Sequence, residues 1–143
     1  MRQLVDVLLV EDDPADAELT LRALAHSGTA ASVEHARDAE AALHAIGPRG
    51  LRPRLVLLDL KLPGMTGLEL LRAIRAEPAT SLLPVVVFTS SAEPRDLAGS
   101  YSSGANAYAQ KPVDFASFGD TIRRVCDFWL GVNRVPPLPA DFS

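Results

Sequence analysis

The chain has 143 residues, of which 48% are hydrophobic and 22% are charged, as is typical of a single globular domain. Its net charge of −4 argues against nucleic acid or an anionic membrane surface as a partner. A single cysteine excludes a disulfide framework, no apolar run approaches the roughly 20 residues of a membrane span, and "MRQLVDVLLVEDD" does not read as a secretory leader. We therefore expect a cytoplasmic protein that folds around one core without a structural metal.

Short apolar runs and helical patterns alternate along the chain. The predicted elements are, in order, strand 4–10, helix 14–28, edge strand 31–36, helix 38–47, strand 54–60, helix 66–77, strand 84–90, helix 93–104, strand 106–111 and helix 114–132. Five strand–helix units at this spacing predict an α/β fold, with a doubly wound parallel sheet and helices on both faces. Residues 133–143 are Pro-rich, and we expect them to form an extended tail after a domain of residues 1–132.

Polar residues stand where the predicted strands end. Glu11 and Asp12 follow the first strand, Asp59 the third, and Thr89 and Lys111 lie at the ends of the fourth and fifth. Because ligands of such sheets collect beyond the carboxyl ends of the strands, this edge is the predicted functional site.

The negative charges of the carboxylates at this edge must be balanced by a cation. At separations of about 5 Å and an effective dielectric of about 20, each pair would repel by roughly 3 kcal/mol. A set of oxygen donors without His or Cys suits magnesium better than zinc. An aspartate beside magnesium can attack a phosphoryl group, and a lysine and a hydroxyl can stabilise the phosphoryl oxygens. The residue types therefore indicate phosphoryl chemistry.

Four segments of the sequence resemble the receiver domains of two-component response regulators. These segments are "LLVEDDP", "LLDLKLPGMTG", "VVFTSS" and "GANAYAQKP", and the resemblance covers about residues 4–130. It implies a flavodoxin-like fold of five strands in the order 2-1-3-4-5 with five helices. It also implies a signalling protein that accepts phosphate on Asp59 from a histidine kinase and that is not an enzyme acting on external substrates.

The resemblance assigns roles to the other residues at the strand ends. Mg²⁺ would be held by Glu11, Asp12, Asp59 and the backbone carbonyl of Lys61. Thr89 and Lys111 would bind the phosphoryl oxygens, with a cis peptide between Lys111 and Pro112.

A conformational switch is implied by the same resemblance. Tyr108 occupies the family's aromatic switch position and would act together with Thr89.

Lys61 stands where many receivers have Asn or Met, and we hypothesise that it shields the acyl phosphate from water.

The C-terminal sequence "DFWLGVNRVPPLP" is similar to that of the stand-alone receivers that serve bacterial phytochromes. This implies a bacteriophytochrome as the kinase and a homodimer that uses the C-terminal helix and tail.

The last helix also carries an apolar stripe of core positions, namely Phe115, Phe118, Ile122, Val125, Cys126 and Trp129. Phe128 lies off this stripe and should be exposed. The predicted interface consists of Tyr108, Phe128, Val132 and Pro136.

Other functions remain open at this point. The protein could be a phosphate sink for its kinase. A receiver-like module that no longer takes phosphate is disfavoured because the complete set of site residues is present. A phosphatase of the haloacid-dehalogenase type is disfavoured because Lys61 stands where those enzymes place a second aspartate. A nucleotide-binding domain is disfavoured because "EDDPAD" replaces the glycine-rich turn after the first strand. Residues 133–143 are too few for a DNA-binding domain, so we expect output through protein contacts.

Overall fold

The computed structural model describes residues 2–30 and 32–137. Its centre is a five-stranded parallel sheet in the order β2-β1-β3-β4-β5. The strands are β1 (Gln3–Val10), β2 (Val33–Ala36), β3 (Leu51–Leu58), β4 (Val85–Thr89) and β5 (Ala107–Gln110). The predicted fold class and strand order are confirmed.

Four helices connect the strands, a fifth follows β5, and together they cover both faces of the sheet. They are α1 (Pro14–Ala25), α2 (Ala39–Ile46), α3 (Gly67–Ala76), α4 (Pro94–Ser102) and α5 (Phe115–Cys126). Helices α2 and α3 enclose one apolar core, and α1 and α5 enclose the other. None of the helices within the described residues is long and apolar enough to cross a bilayer.

Side-chain caps fix where several helices begin. The carboxylates of Asp13, Asp38 and Asp114 accept hydrogen bonds from backbone N–H groups in the first turns of α1, α2 and α5. Thr66 and Glu69 form a capping box at the start of α3. These caps set the start of the helices that follow β1, β2, β3 and β5, and so shape the loops at the carboxyl edge of the sheet.

Several predicted boundaries differ from the structure, notably the start of β3 and the end of α5. Strand β3 begins at Leu51 rather than at residue 54, because it pairs with β1 from Gln3 onward and accommodates Pro53 opposite Val5. Helix α5 ends at Cys126, and the chain continues as a π-helix, Asp127–Val132, instead of as one helix to residue 132.

The predicted apolar stripe of the last helix is buried or half-buried except at its start, with Val125 and Trp129 half-buried against the core. Phe118, Ile122 and Cys126 are buried, and Phe128 is exposed as expected. Phe115 was expected in the stripe but is 71% exposed. It lines an open groove whose other walls include the small residues Ala23 and Gly119, which leave its ring uncovered.

The predicted tail, residues 133–143, lies partly outside the described residues, which end at residue 137. Residues 133–137 have no regular secondary structure. Val135, Pro136 and Pro137 line an apolar cavity of about 320 Å³ at the amino-terminal edge of the sheet. Arg54 on β3 donates a hydrogen bond of 2.6 Å to the carbonyl of Leu130 and so ties the π-helix to the sheet.

Candidate functional site

The sheet brings together four of the predicted residues at its carboxyl edge. Glu11 directly follows β1, Asp59 directly follows β3, Thr89 is the last residue of β4, and Lys111 directly follows β5. Parallel hydrogen bonding extends past the strand ends, since the Asp59 N–H donates to the Val10 carbonyl at 3.0 Å. The Lys111 N–H likewise donates to the Thr89 carbonyl at 2.7 Å. The backbone at this edge is therefore fixed by the sheet.

The loop after Asp59 is held close to the site by a glycine. Gly67 begins α3, and its N–H donates to the carbonyl of Leu60 at 3.1 Å. A Cβ atom at Gly67 would lie 2.5 Å from the carbonyl oxygen of Asp59. Only glycine allows this approach, which keeps the 60–66 loop folded over the end of β3.

The ammonium group of Lys111 is the centre of the site. Its Nζ lies 2.5 Å from Glu11 Oε1, 2.8 Å from Asp59 Oδ2 and 2.8 Å from Asp16 Oδ2. The side chains of Lys111, Glu11 and Asp59 are 5%, 2% and 9% exposed, whereas that of Asp16 is 34% exposed. An ammonium has three N–H donors, so each carboxylate can take one of them.

The pKa values reflect burial and the central cation. Burial raises the pKa of Glu11 to about 7, although the hydrogen bond from Lys111 works against this shift. Burial also raises the pKa of Asp59, but the hydrogen bond and the charge of Lys111 outweigh it and leave that pKa below its usual range. Burial alone would lower the pKa of Lys111, yet its hydrogen bonds to Asp16, Asp59 and Glu11 raise it overall. Asp59 is thus an ionised carboxylate beside a protonated lysine.

Thr89 offers an unused hydroxyl to the same edge. The residue is fully buried, and its Oγ1 has no hydrogen-bond partner among the described residues. A buried hydroxyl without a partner is costly, and such exceptions in native structures call for an explanation. A ligand oxygen that Thr89 binds in another state would provide one.

Tyr108 is half-buried on β5 and connected to the loop after β4. Its hydroxyl donates to the carbonyl of Ser91 at 2.8 Å, and Ser91 Oγ donates to Asp96 Oδ2 at 2.5 Å. The Tyr108 side chain is therefore coupled to the loop that directly follows Thr89.

The prediction of a cis peptide between Lys111 and Pro112 is wrong, because this bond is trans.

The predicted metal ligands are only partly assembled. Asp12 and Lys61 are exposed, and the Lys61 N–H donates to Asp59 Oδ1 at 3.2 Å. Among the described residues, no three His, Cys, Asp or Glu side chains form a ready metal centre, since the Lys111 ammonium lies between the carboxylates of Glu11 and Asp59. The available donors are all oxygens, so the residues fit magnesium in their chemistry.

The predicted interface residues are accessible but divided between two faces. Phe128 and Val132 are exposed, and so is Pro136. Tyr108 packs against the core beneath α2 and α3, whereas Phe128 follows α5 on the opposite face. A single interface of the C-terminal residues would therefore leave out Tyr108.

Asp16 is a site residue that the sequence interpretation missed. It lies in the first turn of α1, where acidic residues are common because they favour the positive end of the helix dipole. A signal was present, since Asp16 lies four residues beyond Asp12 and close to the predicted site. Pattern alone could not show that its carboxylate turns toward β5.

Comparison with known proteins identifies the family to which this arrangement belongs. Residues 7–123 match the response regulator receiver domain. The chain is a member of that family. FilR2 of Methanothrix harundinacea, a probable methanogenesis regulatory protein, is 42% identical over 91% of this chain and 86% of its own length. The response regulator Rcp1 of Synechocystis is 33% identical over 91% of this chain and 92% of its own length.

Solved structures of receivers also match this fold. The Mn(2+)-bound form of Rcp1 has a TM-score of 0.85 at 32% identity and covers 93% of this chain and 99% of its own. The phosphorylated cyanobacterial phytochrome response regulator RcpA has a TM-score of 0.87 at 31% identity, covering 94% and 100%. The bacteriophytochrome response regulator AtBRR has a TM-score of 0.72 at 41% identity, covering 94% and 98%. This receiver therefore resembles the stand-alone, phytochrome-associated response regulators.

Proposed function

We propose that this receiver accepts a phosphoryl group on Asp59 from a sensor histidine kinase. The observation that carries the proposal is the buried contact of 2.8 Å between Asp59 Oδ2 and Lys111 Nζ, next to the unpartnered hydroxyl of Thr89. A cation and a free donor are thus available at the edge of the sheet where a phosphoryl group joined to Asp59 would sit. The phosphorylated state of the similar RcpA supports the same chemistry.

The transfer step follows from these groups. A carboxylate oxygen of Asp59 attacks the phosphorus of phosphohistidine and forms an O–P bond, while the N–P bond breaks and its electron pair returns to the imidazole. The product is an acyl phosphate. Lys111 and Thr89 donate hydrogen bonds to its phosphoryl oxygens, which stabilises the charge spread over them during the transfer.

Magnesium is the proposed cofactor, with Glu11, Asp12, Asp59 and the carbonyl of Lys61 as its protein ligands. When bound, it would neutralise charge on the phosphoryl oxygens and orient them for in-line attack. The Mn(2+)-bound form of Rcp1 supports a divalent cation in this family.

The proposed output is a change of surface that starts at Thr89. Once its hydroxyl bonds the phosphoryl group, the loop after β4 shifts and the Tyr108 hydroxyl loses its acceptor at Ser91. The ring can then turn inward. The altered surface around α4 and β5 would signal to other proteins, or the receiver would act only as a phosphate sink for the kinase.

Phosphotransfer from a purified kinase tests the proposal. A phytochrome histidine kinase is the proposed donor, because RcpA and AtBRR are described as phytochrome and bacteriophytochrome response regulators. We expect magnesium-dependent transfer to the wild type and to Asp120→Asn, an exposed control carboxylate, but not to Asp59→Asn. Transfer to Asp59→Asn would refute the assignment. Transfer from a kinase without a photoreceptor, but not from a phytochrome, would refute the light pathway alone.

We further propose that the receiver domain comprises residues 1–132 and that residues 133–143 form a dimer arm. Phe128 is the exposed aromatic residue next to this arm, and burial of such residues commonly dominates interfaces. Light scattering should give a dimer for the wild type and a monomer for Phe128→Ser. An exposed control, Leu97→Ser on α4, should remain dimeric. A monomeric wild type at tens of micromolar would refute the proposed dimer.

A further inference from the structure

The three contacts of Lys111 are not equivalent in the phosphorylated protein. Lys111 Nζ now donates one N–H to each of Glu11, Asp16 and Asp59. If the proposed function is correct, phosphorylation converts the Asp59 carboxylate into an acyl phosphate, and Glu11 serves the metal. Asp16 is then the one of these three carboxylates that neither carries the phosphoryl group nor binds the metal.

We propose that Asp16 is a positioning residue that holds the Lys111 ammonium at the phosphoryl site. This inference rests on the proposed function and extends it to a residue outside the predicted ligand set. With one N–H retained by Asp16, Lys111 can turn its other donors to the phosphoryl oxygens without leaving the site. Without Asp16, the lysine side chain has one fixed partner fewer and must be ordered in part by the phosphoryl group itself, which costs entropy in each transfer.

The position of Asp16 suits this role. Its backbone N–H donates to Asp13 Oδ1 at 3.1 Å, and its carbonyl accepts from Thr20 Oγ1 at 2.8 Å. The residue is thus fixed in the first turn of α1 by contacts on both sides. Its side chain is 34% exposed, so the carboxylate stays partly hydrated and avoids most of the desolvation that affects Glu11.

A role in helix stability alone would predict different behaviour. An acid in the first turn favours the helix dipole wherever its side chain points. The 2.8 Å contact between Asp16 Oδ2 and Lys111 Nζ instead links α1 to the end of β5 across the site. The two roles can be separated because only the positioning role depends on Lys111.

The first test uses acetyl phosphate as the phosphodonor, with magnesium, over a range of donor concentrations. Removal of a charge-assisted hydrogen bond should slow phosphorylation of Asp16→Ala roughly five- to tenfold at saturating donor, with little change in the half-saturating concentration. The phosphorylation rate of Asp16→Asn should lie between those of the wild type and Asp16→Ala, because the amide oxygen of Asn still accepts a hydrogen bond. Glu18→Gln removes an exposed carboxylate that pairs with Arg22 on the same helix and should match the wild type.

The second test needs neither metal nor phosphodonor. Urea denaturation in the presence of EDTA gives the midpoints of the wild type, Asp16→Asn, Lys111→Met and the double variant. We expect Asp16→Asn to lower the midpoint in the wild-type background and to have little effect once Lys111 is replaced. The same cost in both backgrounds would show that Asp16 acts on the helix and would overturn the inference.

The outcomes distinguish this inference from the function on which it rests. Wild-type rates for both Asp16 variants, with no phosphorylation of Asp59→Asn, would overturn only the role of Asp16. Phosphorylation of Asp59→Asn would overturn the proposed function itself. If Asp16→Ala does not fold, as judged by circular dichroism, the rates of Asp16→Asn decide the question.

Discussion

Replacement of Lys111 by methionine should reveal how much the central cation contributes to the resting fold. The substitution keeps an unbranched side chain, one atom shorter, but removes the charge. At 2.8 Å and an effective dielectric of about 20, the attraction between Lys111 and Asp59 is roughly 6 kcal/mol, and the contact with Glu11 is shorter. Desolvation offsets much of this, and removal of one partner from a buried ion pair typically costs about 3–5 kcal/mol.

We therefore expect Lys111→Met to lower the free energy of unfolding by about 3–5 kcal/mol in the absence of metal. Urea denaturation followed by circular dichroism, in EDTA at neutral pH, measures this change. Lys61→Met is the matched control, because Lys61 is exposed and its replacement should change stability by less than about 0.5 kcal/mol.

Excess magnesium provides the second half of the experiment. In Lys111→Met the ammonium no longer lies between the carboxylates of Glu11 and Asp59, so a dication should stabilise the variant more than the wild type. A loss below about 1 kcal/mol in EDTA, with equal stabilisation of both proteins by magnesium, would refute the argument that Lys111 balances these buried carboxylates.

Three further predictions concern Thr89, Lys61 and the buried thiol of Cys126. Thr89→Val should raise the free energy of unfolding by up to about 1 kcal/mol, because it removes a buried hydroxyl without a partner, and a loss of stability in urea denaturation would contradict this. Lys61→Met should shorten the lifetime of the acyl phosphate, measured by loss of label after the phosphodonor is removed, and an unchanged rate would refute its shielding role. Burial raises the pKa of the Cys126 thiol to about 11, so a disulfide reagent at pH 8 should modify it at least about 100-fold more slowly in the native protein than in urea; equal rates would show that the thiol is accessible.

The sequence predicted the sheet well because its three central strands are buried on both faces along much of their length. The apolar runs of β1, β3 and β4 leave little ambiguity, and a polar residue at the end of each run marks the carboxyl edge. The start of β3 was less predictable, since Arg52 and Pro53 look like loop residues until their pairing with β1 is known. The end of α5 was missed because no breaker in the sequence marks the change to a π-helix at Asp127.

The sequence predicts which residues form the candidate site more readily than it predicts which of these residues contact one another. Glu11, Asp59, Thr89 and Lys111 were identified because each lies at a strand end. The contact of Asp16 with Lys111 depends on how α1 lies over the sheet, which is a matter of packing rather than of pattern. The exposure of Phe115 has the same origin, because its neighbours in space are too small to cover it.

The chemical identity of the phosphorylated residue tests the central claim most directly. Borohydride reduces an acyl phosphate of aspartate to homoserine, so mass spectrometry of the reduced, digested protein can locate the phosphoryl group. After phosphorylation with magnesium, we predict homoserine at position 59 in the wild type and at no other aspartate. Homoserine at Asp12 or Asp16, or acid-labile phosphate on a histidine with Asp59 intact, would contradict the account.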